Sequence, residues 1–247
     1  MNKKILIIGG TGFIGYHLAK KCLKLKWKVT SLSSKKPTKI RVLKKVSYLI
    51  CDISSYNNLK KTLKKKNFDY IVNLGGYINH YDKKAVHNSH FLGVKNLVKL
   101  FLQKGVSFFV QIGSSAEYGT VSSPHNEKSR CNPKMIYGKS KLSATNFLIN
   151  MYKKKKFPAS ILRFYQVYGP NQKIDRVIPL LINACIRNNE LPFSHGLQKR
   201  DFLYVDDAIS AILKTINNKM SEGKIINVGN GKPIALIKMI KVIKKQI

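Results

Sequence analysis

Apolar runs that suit buried strands alternate with apolar spacings that suit helices over the first two-thirds of the chain. The first of these is the unbroken run Ile5 to Ile8, which is typical of a strand buried on both faces of a parallel sheet. Further strands are predicted at 27–32, 46–51, 69–74 and 107–112, and helical spacing occurs at 13–22, 58–66 and 87–103. The alternation predicts an α/β fold in which helices cover both faces of a doubly wound parallel sheet.

Four glycines follow the first strand where the chain passes into the first helix, at Gly9, Gly10, Gly12 and Gly15. They fit two overlapping patterns, G-x-x-G-x-x-G and G-x-G-x-x-G. The first glycine allows a tight turn, the middle one admits a pyrophosphate close to the backbone, and the last lets the helix pack on the strand. Because the glycines follow a strand and open a helix, they predict a dinucleotide site of Rossmann type rather than a structural turn.

The end of the second predicted strand bears on which dinucleotide is bound. A carboxylate about 20 residues past the glycines usually binds the ribose 2′-hydroxyl of NAD, whereas a cation there accommodates the 2′-phosphate of NADP. No Asp or Glu occurs between Met1 and Cys51; Ser33 occupies the expected position, with Lys35 close behind it. This favours NADP over NAD, although Lys35 is also explained as an ordinary surface lysine.

The formal net charge of +35 would attract any polyanion. The lysines are spread over the whole chain, however, and the densest runs, at 64–66 and 153–156, lie at the ends of predicted helices, where cations are favoured. We therefore interpret the charge as a solvated surface, and a nucleic-acid partner is not expected.

Several protein classes are not expected from the composition. Lysines interrupt every hydrophobic stretch before it reaches membrane-spanning length, and Met1 leads almost directly into the first strand, so neither a membrane span nor a signal peptide is predicted. The four cysteines are scattered without a CxxC pair, so we expect no metal site and no disulfide framework. Reduced thiols are typical of a cytoplasmic protein, which is the location we expect.

A tyrosine and a lysine lie four residues apart at the start of a helical pattern. Tyr137 and Lys141 therefore share one helix face. A phenol is protonated at neutral pH, and an ammonium on the same face with an oxidised nicotinamide nearby favours the phenolate form. The hydroxyl of Ser114, just after the fifth strand, could hydrogen-bond a substrate oxygen as the proton moves. Together with the glycine loop, this set predicts proton transfer coupled to hydride transfer.

These motifs resemble the extended short-chain dehydrogenase/reductase family, the NAD(P)-dependent nucleotide-sugar epimerases, dehydratases and 4-keto reductases. Stretches 9–15, 114–119, 137–141, 163–170, 176–179, 200–207 and 227–229 all match its motifs. The resemblance implies that Ser114, Tyr137 and Lys141 are catalytic. With Ser33 and Lys35 added from the charge argument, the cofactor contacts are Gly9, Gly12, Phe13, Ile14, Gly15, Ser33, Lys35, Asp52, Ile53, Leu74, Gly75, Gly76, Tyr137 and Lys141. The substrate contacts are Ser115, Gln166, Arg176, Val177 and Arg200.

The residues after Ser114 narrow the reaction. The 4,6-dehydratases of this family carry an Asp-Glu pair in the next two positions, because elimination of water needs an acid and a base. Ser115 and Ala116 stand there instead, and Glu117 comes one place later, so dehydration is not expected. Reduction of a 4-keto sugar by NADPH remains, favoured by the missing carboxylate near Ser33, beside NAD-dependent 4-epimerisation of the UDP-glucose 4-epimerase type. A remoter alternative is a catalytically weak basic binding protein on the same fold.

Two regions are predicted, a dinucleotide-binding Rossmann domain at 1–169 and a small α+β substrate region at 170–247 interleaved with it.

A nucleotide diphosphate favours guanidinium contacts, for which Arg176 and Arg200 are candidates, whereas Arg163 is expected to form a structural ion pair. His90 and Gln166 stand where the family usually has Asn.

The resemblance also implies a helical segment beyond Ile247, so the substrate region is expected to be short. It further implies a homodimer formed through the helices at 91–101 and 137–151.

Overall fold

The computed structural model describes residues 2–77, 79, 81–192 and 195–247. Eleven strands occur in this part of the chain, and seven of them form one sheet. These seven are β1 (Lys4–Ile8), β2 (Lys28–Ser33), β3 (Val46–Ile50), β4 (Tyr70–Asn73), β5 (Phe108–Ser114), β6 (Ala159–Phe164) and β10 (Ile225–Val228). The other four are short: β7 (Gln166–Tyr168), β8 (Lys199–Arg200), β9 (Phe202–Tyr204) and β11 (Ile234–Ala235).

Eight α-helices connect the strands within the described residues. They are α1 (Phe13–Lys24), α2 (Tyr56–Leu63), α3 (Lys83–His87), α4 (Gly93–Lys104), α5 (Ile136–Lys155), α6 (Val177–Ile186), α7 (Val205–Ile216) and α8 (Leu236–Gln246). One turn of π-helix, Asn88–Leu92, joins α3 to α4. The single helix predicted over 87–103 is therefore a composite that begins earlier, and a π-turn of this kind is frequent at functional sites.

The seven strands are all parallel and follow the order β10-β6-β5-β4-β1-β2-β3. Strand β1 lies inside the sheet, with Ile5 opposite Val29 of β2 on one side and opposite Tyr70 of β4 on the other. The chain winds outward from β1 in both directions, which is the doubly wound Rossmann arrangement. The predicted fold class is confirmed.

Two hydrophobic layers hold the sheet. Ile5 and Ile7 of β1 point into one layer, where α1 and α7 contribute Leu18 and Ile212 among others. Leu6 and Ile8 point into the opposite layer, which contains residues of α2, α4 and α5. Because both faces of β1 are covered, successive residues must all be apolar, and this accounts for the unbroken run that opens the sequence.

The C-terminal third contributes one helix and one strand to the main sheet and its layers, and the rest of it forms a separate cluster. Helix α7 packs in the layer with α1, and β10 is the outermost strand, paired with β6. A separate cluster joins α6 and α8 with the short pairs β7–β9 and β8–β11. The division at residue 169 stays a prediction.

All four cysteines lie in the described part of the chain and are free thiols. Burial in the first layer raises the pKa of Cys22 to about 12. Among the described residues, no helix combines the length and apolar character needed to cross a membrane.

Candidate functional site

The glycine loop turns the chain from β1 into α1 within four residues. Gly9 adopts a left-handed φ of +75° and donates its N–H to Leu32 O at 2.8 Å. A Cβ on Gly15 would lie 2.6 Å from Gly10 Cα, so only glycine lets α1 approach the loop this closely. The N-cap residue of α1 is Gly12, which has no side chain to cap the helix. Its first amides therefore suit an anion such as a pyrophosphate.

The end of β2 carries a hydroxyl and no carboxylate. Ser33 is buried, and its Oγ accepts the N–H of Thr11 at 3.3 Å. Lys35 is exposed. The cation that contacts the loop is Arg41, whose Nη1 donates to Thr11 O at 3.4 Å and whose Nη2 donates to Asn171 O at 2.8 Å. Sequence reasoning missed Arg41; the available signal was an arginine close behind the strand that usually ends in the ribose-binding carboxylate.

Two more predicted contacts follow β3. Asp52 is exposed and its Oδ1 accepts the N–H of Ser54 at 2.9 Å. Ile53 is buried, and Asn96 of α4 donates to its carbonyl oxygen at 2.9 Å. The segment is thus fixed at the same edge of the sheet as the glycine loop.

The loop after β4 lies directly against the glycine loop. Leu74 donates its N–H to Ile8 O at 3.0 Å, and a Cβ on Gly9 would be 2.9 Å from the carbonyl carbon of Leu74. Gly75 donates its N–H to Asn73 Oδ1 at 3.0 Å. Gly76 packs on the ring of His90, where a side chain would clash. The structure therefore brings the predicted contacts 9–15, 33 and 74–76 together at one edge.

Ser114 is the last residue of β5 and begins a 3₁₀ turn, Ser115–Glu117. Its Oγ accepts the N–H of Ala116 at 3.1 Å, and Glu117 Oε1 accepts the N–H of Ser114 at 2.9 Å, which together form a capping box. The predicted substrate contact Ser115 is half-buried in the same turn.

Tyr137 and Lys141 lie in the first turns of α5, beside that 3₁₀ turn. Gly138 makes the approach possible, since a Cβ there would be 2.5 Å from Ala116 O. Lys141 is only 5% exposed; its Nζ donates to Ile112 O of β5 at 2.7 Å and lies 5.9 Å from the ring centroid of Tyr137. The end of β5 and the start of α5 therefore bring all three predicted catalytic side chains into one region.

His90, in the π-turn, links this region to the loop after β4. It is 4% exposed, and its ring meets the ring of Tyr137 edge-on at a centroid distance of 5.0 Å. Its Nε2 lies 3.3 Å from Tyr77 N and 3.2 Å from Tyr77 O. The imidazole fills the space between β4 and α5, so this departure from Asn keeps a polar contact there.

Arg163 forms a buried ion pair, as predicted. Its Nε donates to Glu117 Oε2 at 2.9 Å, and both side chains are almost fully buried. Although burial lowers the pKa of Arg163, Coulombic attraction to Glu117 and hydrogen bonds to Tyr118 and Glu117 raise it above its ordinary value. Sequence reasoning gave Glu117 no role, because nothing local predicts that its partner lies 46 residues away.

A second polar cluster follows the 3₁₀ turn. Tyr118 donates its hydroxyl to Asn227 Oδ1 at 2.8 Å, and His125 stacks on Tyr118 at 4.3 Å. His125 Nδ1 lies 3.0 Å from the hydroxyl of Tyr165. Burial, followed by the charges of Tyr118, Asp201 and Glu127, raises the pKa of Tyr165 to about 12, so its phenol stays protonated at neutral pH.

The predicted substrate-binding residues of the C-terminal third are more exposed than the predicted catalytic residues. Arg176 is 52% exposed and lies 3.9 Å from Asp175, and Val177 begins α6 half-buried. Gln166 is exposed and donates its backbone N–H to Asp201 O at 3.0 Å. Arg200 is exposed and donates to Lys199 O at 2.8 Å.

The carboxylate of Asp201 is occupied by the amides of Asn230 and Gly231 at 2.7 and 2.8 Å. Within the described residues no carboxylate pairs with Arg200. Its guanidinium is therefore open to an anionic ligand.

Comparison with known proteins gives this geometry a context. The chain matches the NAD dependent epimerase/dehydratase family over residues 5–229. It is 30% identical over 280 residues to the dTDP-D-glucose 4,6-dehydratase of Dictyostelium discoideum; the match covers 97% of this chain but only 61% of that protein. It is 27% identical over 267 residues to the uncharacterized UDP-glucose epimerase YtcB of Bacillus subtilis (strain 168), covering 98% of this chain and 81% of that one.

Among solved structures, MoeE5 in complex with UDP-glucuronic acid and NAD superposes with a TM-score of 0.88 at 24% identity, covering 98% of this chain and 82% of that one. The family match spans nearly the whole sheet, from β1 to the turn after β10. The chain belongs to the NAD-dependent epimerase/dehydratase family of extended short-chain dehydrogenases/reductases.

Proposed function

We propose that the protein exchanges hydride at C4 of a nucleotide-activated sugar, and that net reduction of a 4-keto sugar by NADPH is its reaction. The runner-up is 4-epimerisation with NAD, which the resemblance to a relative named as a UDP-glucose epimerase favours. The observation that carries the proposal is the buried ammonium of Lys141, held at the end of β5 on the same helix face as Tyr137.

Lys141 prepares Tyr137 for proton exchange. One ammonium hydrogen of Lys141 is donated to Ile112 O, so two hydrogens are left that could bind a ribose hydroxyl of the cofactor. The ammonium lies 5.9 Å from the ring centroid of Tyr137, whose hydroxyl would exchange a proton with the sugar 4-oxygen. Bound at this edge, a nicotinamide dinucleotide would supply the hydride.

Ser114 orients the substrate oxygen. Its Oγ already accepts the N–H of Ala116, so its own hydrogen is the group left to donate. A donor aimed at the sugar oxygen stabilises the negative charge that develops there during the transfer. Tyr137 and Ser114 would thus contact one oxygen from two elements.

In the described part of the chain, no acid–base pair that could eliminate water from the sugar lies beside Ser114. Ser115 and Ala116 carry no carboxylate, and the nearest one, Glu117, is fully buried with both oxygens engaged by Ser114, Thr145 and Arg163. A dehydratase reaction is therefore not proposed, although one relative is named for it.

NADP is favoured by the donors near the end of β2. Ser33 offers no charge against a 2′-phosphate, and the guanidinium of Arg41 lies beside the same loop. Arg41 and Lys35 would meet the phosphate, while Gly9 to Gly15, Asp52, Ile53 and Leu74 to Gly76 would hold the rest of the dinucleotide. A guanidinium is well suited to a phosphate because it offers paired N–H donors.

The substrate would be bound by Ser115, Gln166, Arg176, Val177 and Arg200, with the two guanidinium groups on the diphosphate. A homodimer through α4 and α5 is also proposed; these helices, with Leu92 at the end of the π-turn, present an apolar groove that includes Leu102, Phe147 and Met151. A cytoplasmic location stays a prediction.

The experiment is Tyr137→Phe, assayed for NADPH consumption with nucleoside-diphosphate 4-keto sugars. We expect kcat to fall by about a hundredfold or more, as loss of a general acid/base does, with NADPH affinity little changed. Tyr152→Phe, on the same helix beyond the site, is the matched control and should keep full activity. Retained turnover in Tyr137→Phe would remove the proposed role.

The alternatives give different outcomes in the same preparations. An epimerase would co-purify with NAD and interconvert nucleotide sugars without consuming NADPH. A basic binding protein would show neither activity and would bind labelled RNA with an affinity that falls steeply with salt.

A further inference from the structure

Glu117 is a fully buried carboxylate to which the proposed chemistry assigns no step. Its Oε1 accepts the backbone N–H of Ser114 at 2.9 Å. Its Oε2 accepts the hydroxyl of Thr145 at 2.8 Å and Nε of Arg163 at 2.9 Å. A buried ion pair is weak evidence of stabilisation, because its desolvation offsets its attraction, so the pair calls for another explanation.

The carboxylate ties the catalytic turn to the catalytic helix. Tyr137, Lys141 and Thr145 follow each other at intervals of four on α5 and so share one face. Glu117 grips Thr145 of that face with one oxygen and the amide of Ser114 with the other. One rigid group therefore sets the distance between the proposed hydroxyl on β5 and the proposed base on α5.

The surroundings are shaped for this carboxylate. A Cβ on Gly113 would lie 2.5 Å from Glu117 Oε1, so the glycine before Ser114 leaves the space that the carboxylate fills. Arg163 neutralises it from β6, the next strand of the sheet, and the guanidinium in turn lies 4.6 Å from the ring centroid of Tyr118. The negative charge of Glu117 is thus compensated by the guanidinium of Arg163 on the neighbouring strand.

We propose that Glu117 is a positioning residue, which holds the Ser114 hydroxyl in register with Tyr137 and Lys141 while Arg163 compensates its charge. The inference rests on the proposed function, since it assumes that Ser114 acts on the substrate. Glu117 touches neither substrate nor cofactor in this account; it acts only through Ser114.

The test is a double-mutant cycle between the carboxylate and the hydroxyl it positions. Glu117→Val with Arg163→Met removes both charges together, so that no buried charge is left alone. In the wild-type background we expect kcat to fall by about tenfold or more, since small displacements of reacting groups cost that much, with NADPH affinity and KM unchanged. In the Ser114→Ala background the same change should cost less than about twofold.

Thr145→Val provides a second route that leaves the ion pair intact. It should lower kcat in the wild-type background and have no effect on Ser114→Ala, and it decides the question if the paired variant does not fold. Ser143→Ala is the matched control, because this half-buried hydroxyl on α5 donates to Lys139 O in its own helix.

Two outcomes would overturn the proposal, and they are distinguishable. Equal losses in both backgrounds would mean that Glu117 supports the fold and does not act through Ser114. Full turnover by Ser114→Ala itself would instead remove the proposed role of Ser114, and the positioning role with it.

Discussion

The cofactor side and the substrate side of the site are built from different materials. The cofactor side, residues 9–15, 33, 52–53 and 74–76, consists of strand ends and glycines whose backbone atoms are fixed by the parallel sheet. The substrate side consists mainly of side chains on two short strands and at the start of α6, and three of them are exposed long side chains; its residues are Ser115, Gln166, Arg176, Val177 and Arg200. Binding on the cofactor side therefore depends on close packing of the backbone, whereas binding on the substrate side depends on the charge of its side chains.

The largest expected effect is on the backbone-built side. Gly15→Ala would place a methyl group 2.6 Å from Gly10 Cα, so the loop must shift away from the helix. We expect dinucleotide affinity to weaken by about a hundredfold, the scale of an overpacked contact, as measured by fluorescence titration with NADPH. Gly231→Ala is the control: this glycine has a left-handed φ of +75° but open space around it, it lies outside the cofactor side, and its substitution should leave affinity unchanged.

Arg41 should have the next largest effect, and it tests whether charge also matters on the cofactor side. Arg41→Ala should raise KM for NADPH by about tenfold or more, the worth of a charge-assisted hydrogen bond, and leave KM for NADH nearly unchanged. Lys39→Ala, a neighbouring exposed cation, should change neither. Equal losses with both dinucleotides would mean that Arg41 only ties Thr11 to Asn171.

Arg200→Ala should give the smallest effect, because exposed charges are screened by water and salt. We expect KM for the nucleotide sugar to rise by about fivefold, more at low salt, with kcat and NADPH affinity unchanged. Arg187→Ala, an exposed arginine at the end of α6, is the matched control. An effect on NADPH affinity instead would assign Arg200 to the cofactor side.

The same difference decides what the sequence predicts well. Ile5 to Ile8 and the glycines that follow carry their own signal, because a doubly buried strand and a tight turn each demand particular residues. The fold could therefore be predicted almost element by element, with ends shifted by two and three positions at α2. The structure brings residues 9–15, 33 and 74–76 to one edge of the sheet, and their contact with a dinucleotide stays a prediction.

What the sequence did not predict depends on distant partners. Glu117 gains its place from Thr145 and Arg163, and Arg41 gains its place from Asn171, 130 residues away. His90 enters the site because a π-turn aims it at Tyr137. None of these contacts follows from local spacing, since each requires the packed fold.

The most direct test of the account is the fate of hydride itself. The protein is incubated with NADPH carrying deuterium at the transferred position and with a nucleoside-diphosphate 4-keto-6-deoxy sugar, and the product is analysed by mass spectrometry and NMR. We expect one deuterium at sugar C4 for each NADPH consumed, with the label lost in Tyr137→Phe. Absence of label at C4, with the dinucleotide bound and Tyr137 intact, would contradict it.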